Sequence, residues 1–236
     1  MFRMLRTVPF ALALAAVSIF AACGGSGGTK FRLVNAIPDS PPQTIDVLID
    51  AKTVVTAVAF ATPPSGYTGV ASGTRRLELR PTGQTNDWVN SNVSFGSGNY
   101  TIVATGYFSS NTIAAPLFTD TSTAPTSGNA ELRIIQASPE GLGSAQNQAV
   151  DIYLTSPGGG LGPSPDIANV AYQTASAYKT FPAGTYDILL TPAGIQAINI
   201  TIPNASFSSG KNYTYVLVDV SGGGAMASSP VVLNDN

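Results

Sequence analysis

The sequence predicts an all-β protein built from two tandem antiparallel β-sandwiches. Three observations carry this. Apolar residues alternate with polar ones at a period of two. No segment after the N-terminal stretch holds a helical period over three turns. Nearly all of the chain beyond that stretch reads twice.

The N-terminus comes first. Arg3 and Arg6 precede an apolar run from Val8 to Ala22, the pattern of a secretory signal and shorter than the ~20 residues of a membrane span. The run ends in Phe20-Ala21-Ala22-Cys23, which resembles the lipobox of bacterial lipoproteins although Phe20 replaces the usual leucine. The resemblance implies a signal peptide over residues 1–22 and a diacylglycerol on Cys23. The alternative is a secreted protein cut after Ala22 with a free thiol. Gly24-Gly25-Ser26-Gly27-Gly28 has no side chains to pack, so residues 23–29 read as a lipidated cysteine and flexible tether. A lipid there would place the protein outside the cytoplasm, on the outer membrane if the source has one.

The repeat follows. Lys30 to Asp39 matches Glu131 to Glu140, and Thr44 to Asp50 matches Ala149 to Thr155. Val58-Ala59-Phe60 matches Val170-Ala171-Tyr172, and Tyr67 to Gly83 runs against Tyr178 to Gly194 without a gap. Phe95 and Tyr100 match Phe207 and Tyr213, and Pro116 matches Pro230, all in the same order. A period near 100 residues means tandem domains. The expected units are residues 30–120 and 131–236. Between them residues 121–130, rich in Ser, Thr, Pro and Gly, form a linker. Each unit is long enough to hold its own core and fold alone.

Within each unit the strands are short. Ile45, Val47 and Ile49 alternate with Asp46 and Asp50; Ile198, Ile200 and Ile202 alternate with Asn199 and Thr201. Tyr213 to Val218 is apolar on both faces, as for a central strand. Seven or so strands per unit suggest an immunoglobulin-like sandwich. Strand starts repeat one device: Ala183-Gly184-Thr185-Tyr186, Ser209-Gly210-Lys211-Asn212-Tyr213 and Ser97-Gly98-Asn99-Tyr100 set glycine just before an aromatic. Glycine permits the positive φ of a tight turn, and the aromatic pins the corner. Ser72-Gly73-Thr74-Arg75 lacks the aromatic, so that corner should differ.

These residues carry a family resemblance. An arginine, two aliphatics, Asn or Gln, Ala, any residue, Pro and an acid run from Arg32 to Asp39 and from Arg133 to Glu140. An aliphatic-Asp-aliphatic strand follows at Ile45-Asp46-Val47 and Val150-Asp151-Ile152. Tyr67 to Gly73 and Tyr178 to Gly184 complete the set. The pattern resembles a bacterial extracytoplasmic domain of unknown function, family number 4397. The resemblance implies an exported β-rich module, often in tandem, and no assigned activity.

Composition narrows the chemistry. Histidine is absent and there is one cysteine, so no Ser-His-Asp or Cys-His set, histidine zinc site or internal disulfide can form. The chain has 11 basic and 13 acidic residues and no basic run, hence no electrostatic footprint for nucleic acid. Arg75-Arg76 with Arg80 reads as a solvated strand face interrupted by Glu78. Asp39, Asp46, Asp50, Glu140 and Asp151 are the candidates for calcium, but no Asp-x-Asp-x-Asp run occurs. Asp46 and Asp151 should face solvent or cap a turn. Nothing selects a pair of carboxylates for glycoside hydrolysis, and the lysines lie in polar or terminal contexts. Trp88, in the polar stretch Asn86 to Asn90, is either a sandwich-edge anchor or a sugar platform.

The expectation is therefore a non-catalytic, cofactor-free, lipid-anchored protein of the cell envelope. It would be held to the membrane through its N-terminal lipid and act as a surface binding or scaffold module for an envelope protein or a polysaccharide. The alternative is a carbohydrate-binding module associated with envelope or external polysaccharide. A carboxylate-dependent hydrolase is the third class.

Overall fold

Sixteen strands build the described part of the chain. The computed structural model describes residues 28–121, 123–143 and 146–236. The expected signal peptide, Cys23 and most of the tether lie outside these residues. The first repeat holds β1 (Lys30–Asn35), β2 (Thr44–Ile49), β3 (Lys52–Ala59), β4 (Thr68–Gly69), β5 (Gly73–Pro81), β6 (Val89–Phe95), β7 (Asn99–Ala104) and β8 (Leu117–Asp120). The second holds β9 (Asn129–Gln136), β10 (Val150–Thr155), β11 (Ile167–Val170), β12 (Lys179–Pro182), β13 (Gly184–Pro192), β14 (Ile200–Phe207), β15 (Asn212–Leu217) and β16 (Val231–Asn234).

The repeats have one topology. Sheets β4-β1-β7-β8 and β3-β2-β5-β6 form the first sandwich; β12-β9-β15-β16 and β11-β10-β13-β14 form the second. The sandwiches are not wholly antiparallel. β1 pairs parallel with β7, and β9 with β15. Period-two alternation reports which face is buried but not which way a strand runs, so this pairing had no signature. β9 begins at Asn129, within the segment read as linker.

Each sandwich keeps its own core. Phe31, Leu33, Ile45, Val47, Leu77, Leu79 and Ile102 fill the first; Leu132, Ile134, Ile152, Ile188, Leu190 and Tyr215 fill the second. A third cluster lies between the repeats: Val34, Ala36 and Val103 pack with Ile135, Ala137, Val216, Val218, Val231 and Leu233. These are all small or branched aliphatics, which let two sheet faces approach closely. β1, β7, β9 and β15 are thus buried on both faces, which is why Tyr213 to Val218 carries apolar residues on both. A fully buried Val or Leu is worth ~1.5–3 kcal/mol over its exposed state. The repeats are joined by a hydrophobic layer rather than by a linker alone.

Two of the three corners follow the expected device, with Gly98 at φ +116° and Gly210 at +77°, while Gly184 has no positive φ. The Tyr100 hydroxyl accepts from Gly96 N at 2.8 Å and the Tyr213 hydroxyl from Ser208 N at 3.0 Å. Tyr186 donates to Pro182 O at 2.9 Å. At the equivalent corner of the first repeat, Arg75 replaces Tyr186 and donates from Nε to Ala71 O and from Nη2 to Ser72 O. Gly73 there has φ +98°. Ile198, expected on a strand, lies in the irregular segment just before β14 and is 49% exposed. The chain turns at Ala193 and Gly194, where Ile195 N bonds back to Pro192 O at 2.9 Å.

Candidate functional site

The motif's arginines and tyrosines converge on the surface between the repeats. Arg32 alternates with Leu33 on β1, so it faces the other repeat while Leu33 faces its own core. Its Nη2 donates to Asp235 Oδ1 of the second repeat, and its Nη1 to Asn234 O at 2.8 Å. Arg133 does the reverse: Nη2 to Asp120 Oδ1 at 2.5 Å and Nη1 to Thr119 O at 2.8 Å. Each guanidinium also donates from Nε to a threonine, Thr101 at 2.9 Å and Thr214 at 3.0 Å. Those threonines donate to Asp120 and Asp235. Arg32 stacks on Tyr67 at 4.7 Å and Arg133 on Tyr178 at 4.8 Å. Tyr67 donates to Asp120 at 2.8 Å, and Tyr178 to Asp235 at 2.6 Å. Burial, then the neighbouring aspartates, push both phenols well above their usual range. The contacts are reciprocal, as an approximate two-fold axis between the repeats requires.

Sequence reading missed the two aspartates. The ladders place Tyr100 opposite Thr119 and Tyr213 opposite Asn234. Asp120 and Asp235 are therefore equivalent, one position out of step with the match on Pro116 and Pro230.

The carboxylates considered for calcium have other partners. Asp46 Oδ1 accepts from Ala57 N and Thr82 Oγ1, and Asp151 accepts from Asn169 N and Gly194 N. Asp187 accepts from Gly158 N and Asn204 N, which lower its pKa. Ala57, Asn169 and Asn204 all have positive φ, and each sits on an edge strand where the register slips. An aspartate on the inner strand thus holds a bulge in the edge strand three times over. Such bulges twist an edge away from stray pairing. Asp39 accepts from Phe108 N and Ser109 N, and Asp50 from Arg76 N. Glu140 accepts from Gln146 Nε2 at 3.3 Å. Among the described residues, no group of three His, Cys, Asp or Glu is arranged to hold a metal ion.

Arg75, Arg76 and Arg80 form a charge ladder with acids. Arg75 pairs with Asp50 at 3.4 Å, Arg76 with Glu78 at 2.5 Å, and Arg80 with Glu78 at 2.9 Å and with Asp87.

The two ends of the molecule differ. Chain entry is fixed by Lys30 N to Gly98 O at 3.0 Å and by Thr29 Oγ1 to Gly96 O at 2.5 Å. The nine residues of β5, at about 3.3 Å each, put the opposite end about 30 Å away. Loops of both repeats meet there. Tyr107 lies between Asp219 Oδ2 (2.6 Å) and Glu140 Oε1 (3.0 Å), and Gly222 N donates to Pro38 O at 2.9 Å. Burial, outweighing several hydrogen bonds, raises the Asp219 pKa. Four of the exposed large apolar side chains sit on these loops: Phe108 (42%), Ile195 (54%), Ile198 (49%) and Val220 (42%). Trp88 is half-buried against the first core, its ring 5.2 Å from Phe108 and tilted by 45°. The pair does not form a flat platform.

Residues 29–141 match the family described as a domain of unknown function, DUF4397. The DUF4397 match covers the first repeat and runs on through β9 to just past Glu140, so it contains the arginine motif twice. No curated protein matches the chain. Solved structures give distant likenesses. The C-terminal domain of AlgF from P. aeruginosa is 10% identical, covering 47% of this chain and 99% of that one, with a TM-score of 0.28. A family CBM26 module from Eubacterium rectale Amy13K, solved with maltoheptaose, is 12% identical over 88% of this chain and 97% of that one, with a TM-score of 0.26. The Bacillus anthracis TIE protein is 12% identical over 81% of this chain and 33% of that one, with a TM-score of 0.23. At such scores these likenesses carry no argument about function.

Proposed function

We propose that this is a non-catalytic, lipid-anchored protein of the cell envelope that serves as a surface binding or scaffold module. The observation that carries the reading is the gathering of loops from both repeats at the end farthest from the chain's entry. Phe108 of one repeat and Ile195, Ile198 and Val220 of the other expose apolar surface there. The layer between the repeats and the reciprocal ion pairs hold those loops in one fixed arrangement. A lipid on Cys23 would orient this end away from the membrane, toward a partner. A polysaccharide partner is the second reading, favoured by a cleft between the repeats lined by the uncharged Tyr107, Thr112, Asn147, Tyr172 and Gln173.

Two measurements test the proposal. Cys23→Ser should move the protein out of the membrane fraction or leave it unprocessed, and labelled palmitate should enter the wild type alone. Failure of palmitate to label the wild type ends the lipoprotein reading. Whole-cell crosslinking of the Phe108→Ser/Ile195→Ser variant should lose the envelope adducts of the wild type. Identical adducts would remove the far end from the binding role.

A further inference from the structure

Between the repeats, at the end away from the tether, lies a cleft of about 150 Å³. The first repeat lines it with Tyr107, Ser110 and Thr112, and the second with Asn147, Tyr172 and Gln173. Tyr172 reaches across to Thr105 Oγ1 at 3.2 Å, so its ring is fixed by both repeats. Tyr107 is held by Asp219, and its backbone N donates to Thr112 Oγ1 at 3.0 Å. Two phenol rings therefore stand in place before any ligand arrives, which lowers the ordering cost of binding. Asn147 and Gln173 both have positive φ, 57° and 61°, a conformation with a steric cost for side chains other than glycine.

The lining selects a chemical class. Among the described residues it holds no lysine, arginine or histidine, so an anion finds no counter-charge. It holds no free carboxylate, so a metal ion finds too few oxygens. Amides and hydroxyls offer donors and acceptors together, the complement of hydroxyl groups that are both. Aromatic faces accept the apolar face of a ring. At about 150 Å³ the cleft is smaller than the ~300–1,000 Å³ of drug-sized sites, and suits one ring or a chain end rather than a long oligomer.

We infer that the cleft between the repeats is a binding site for a single neutral sugar ring, such as the terminal residue of a polysaccharide. The inference rests on the binding-module reading and names a ligand class for it. The site exists only while the two repeats are packed together, because each supplies half of its lining.

The test uses the full chain in a detergent without a sugar headgroup. Methyl glucoside, methyl galactoside and N-acetylglucosamine are the probes, at millimolar concentration, read by saturation-transfer NMR. At least one should give a signal. Asn147→Gly/Gln173→Gly removes two of the three lining amides, leaving Gln146, while keeping the positive φ that glycine tolerates, and should weaken that sugar at least tenfold. Trp88→Ala should leave it unchanged. Silence from all three sugars overturns the inference, as does a signal that survives the glycine pair. A signal lost only in Trp88→Ala moves sugar binding to the aromatic pair and also overturns it. None of these outcomes bears on the crosslinking result at Phe108 and Ile195, so the binding-module reading stands or falls separately.

Discussion

Arg32 and Asp235, 203 positions apart in the chain, form an ion pair with side chains only 4% and 0% exposed. The pair ties the first strand of one repeat to the end of the last strand of the other. Arg133 and Asp120 repeat it in the opposite sense. A buried pair of this kind adds little net stability over a well-packed apolar substitute, because both charges have lost their water. It does set register: only one arrangement of the two faces satisfies both arginines.

Removing one partner leaves a buried charge unpaired. Arg32→Ala or Arg133→Ala should therefore cost about 3–5 kcal/mol. Arg75→Ala breaks a half-exposed pair with Asp50 together with the exposed corner bonds to Ala71 O and Ser72 O, and should cost only about 1–2 kcal/mol. Urea unfolding of the three variants makes the comparison. Similar losses for Arg32 and Arg75 would contradict the structural role given to Arg32.

Alkaline titration should discriminate among the tyrosines. The folded-state pKa values of Tyr67, Tyr107 and Tyr178 are raised, chiefly by burial. Stability from a raised group is fully present below the unfolded value, about 10 for tyrosine, and is lost as pH rises through the folded one. Tyrosinate absorbance should thus show an early class of exposed phenols and a late class that ionises together with loss of near-ultraviolet circular dichroism. Smooth titration of every tyrosine near pH 10 would contradict this.

Acid acts on the bulges. Two backbone N–H groups hold the Asp187 pKa below the usual carboxylate range. A lowered group contributes stability above its unfolded pKa, about 3.9, that is lost as pH falls through the folded one. Asp187→Asn should destabilise the protein at neutral pH and flatten the fall in melting temperature below about pH 4. An unchanged acid profile would show that the bulge at Asn204 does not depend on the carboxylate.

Much of this was legible from residue patterns, and the gaps have physical causes. Alternation at Ile45, Val47 and Ile49 located a strand and its buried face. The run from Tyr213 to Val218, apolar on both faces apart from Thr214, signalled two buried faces, and the second proves to be the surface between the repeats. The recurrence of Arg32 and Tyr67 as Arg133 and Tyr178 was visible, but their stacking was not. Stacking depends on which strands lie side by side, and the parallel β1–β7 pairing leaves no periodic trace. Asp120 and Asp235 stayed hidden because a proline match set the alignment one residue off. Arg75 in place of Tyr186 shows that one corner can be closed by a guanidinium or by a phenol.

The central claim is that the two repeats act as one body. A protease site placed between Thr123 and Thr126, cut after folding, tests it most directly on a sizing column. The account predicts that both fragments elute together at the volume of the intact protein, held by the aliphatic layer and the reciprocal ion pairs, and that Arg32→Ala loosens them. Two folded fragments that separate after the cut would contradict it.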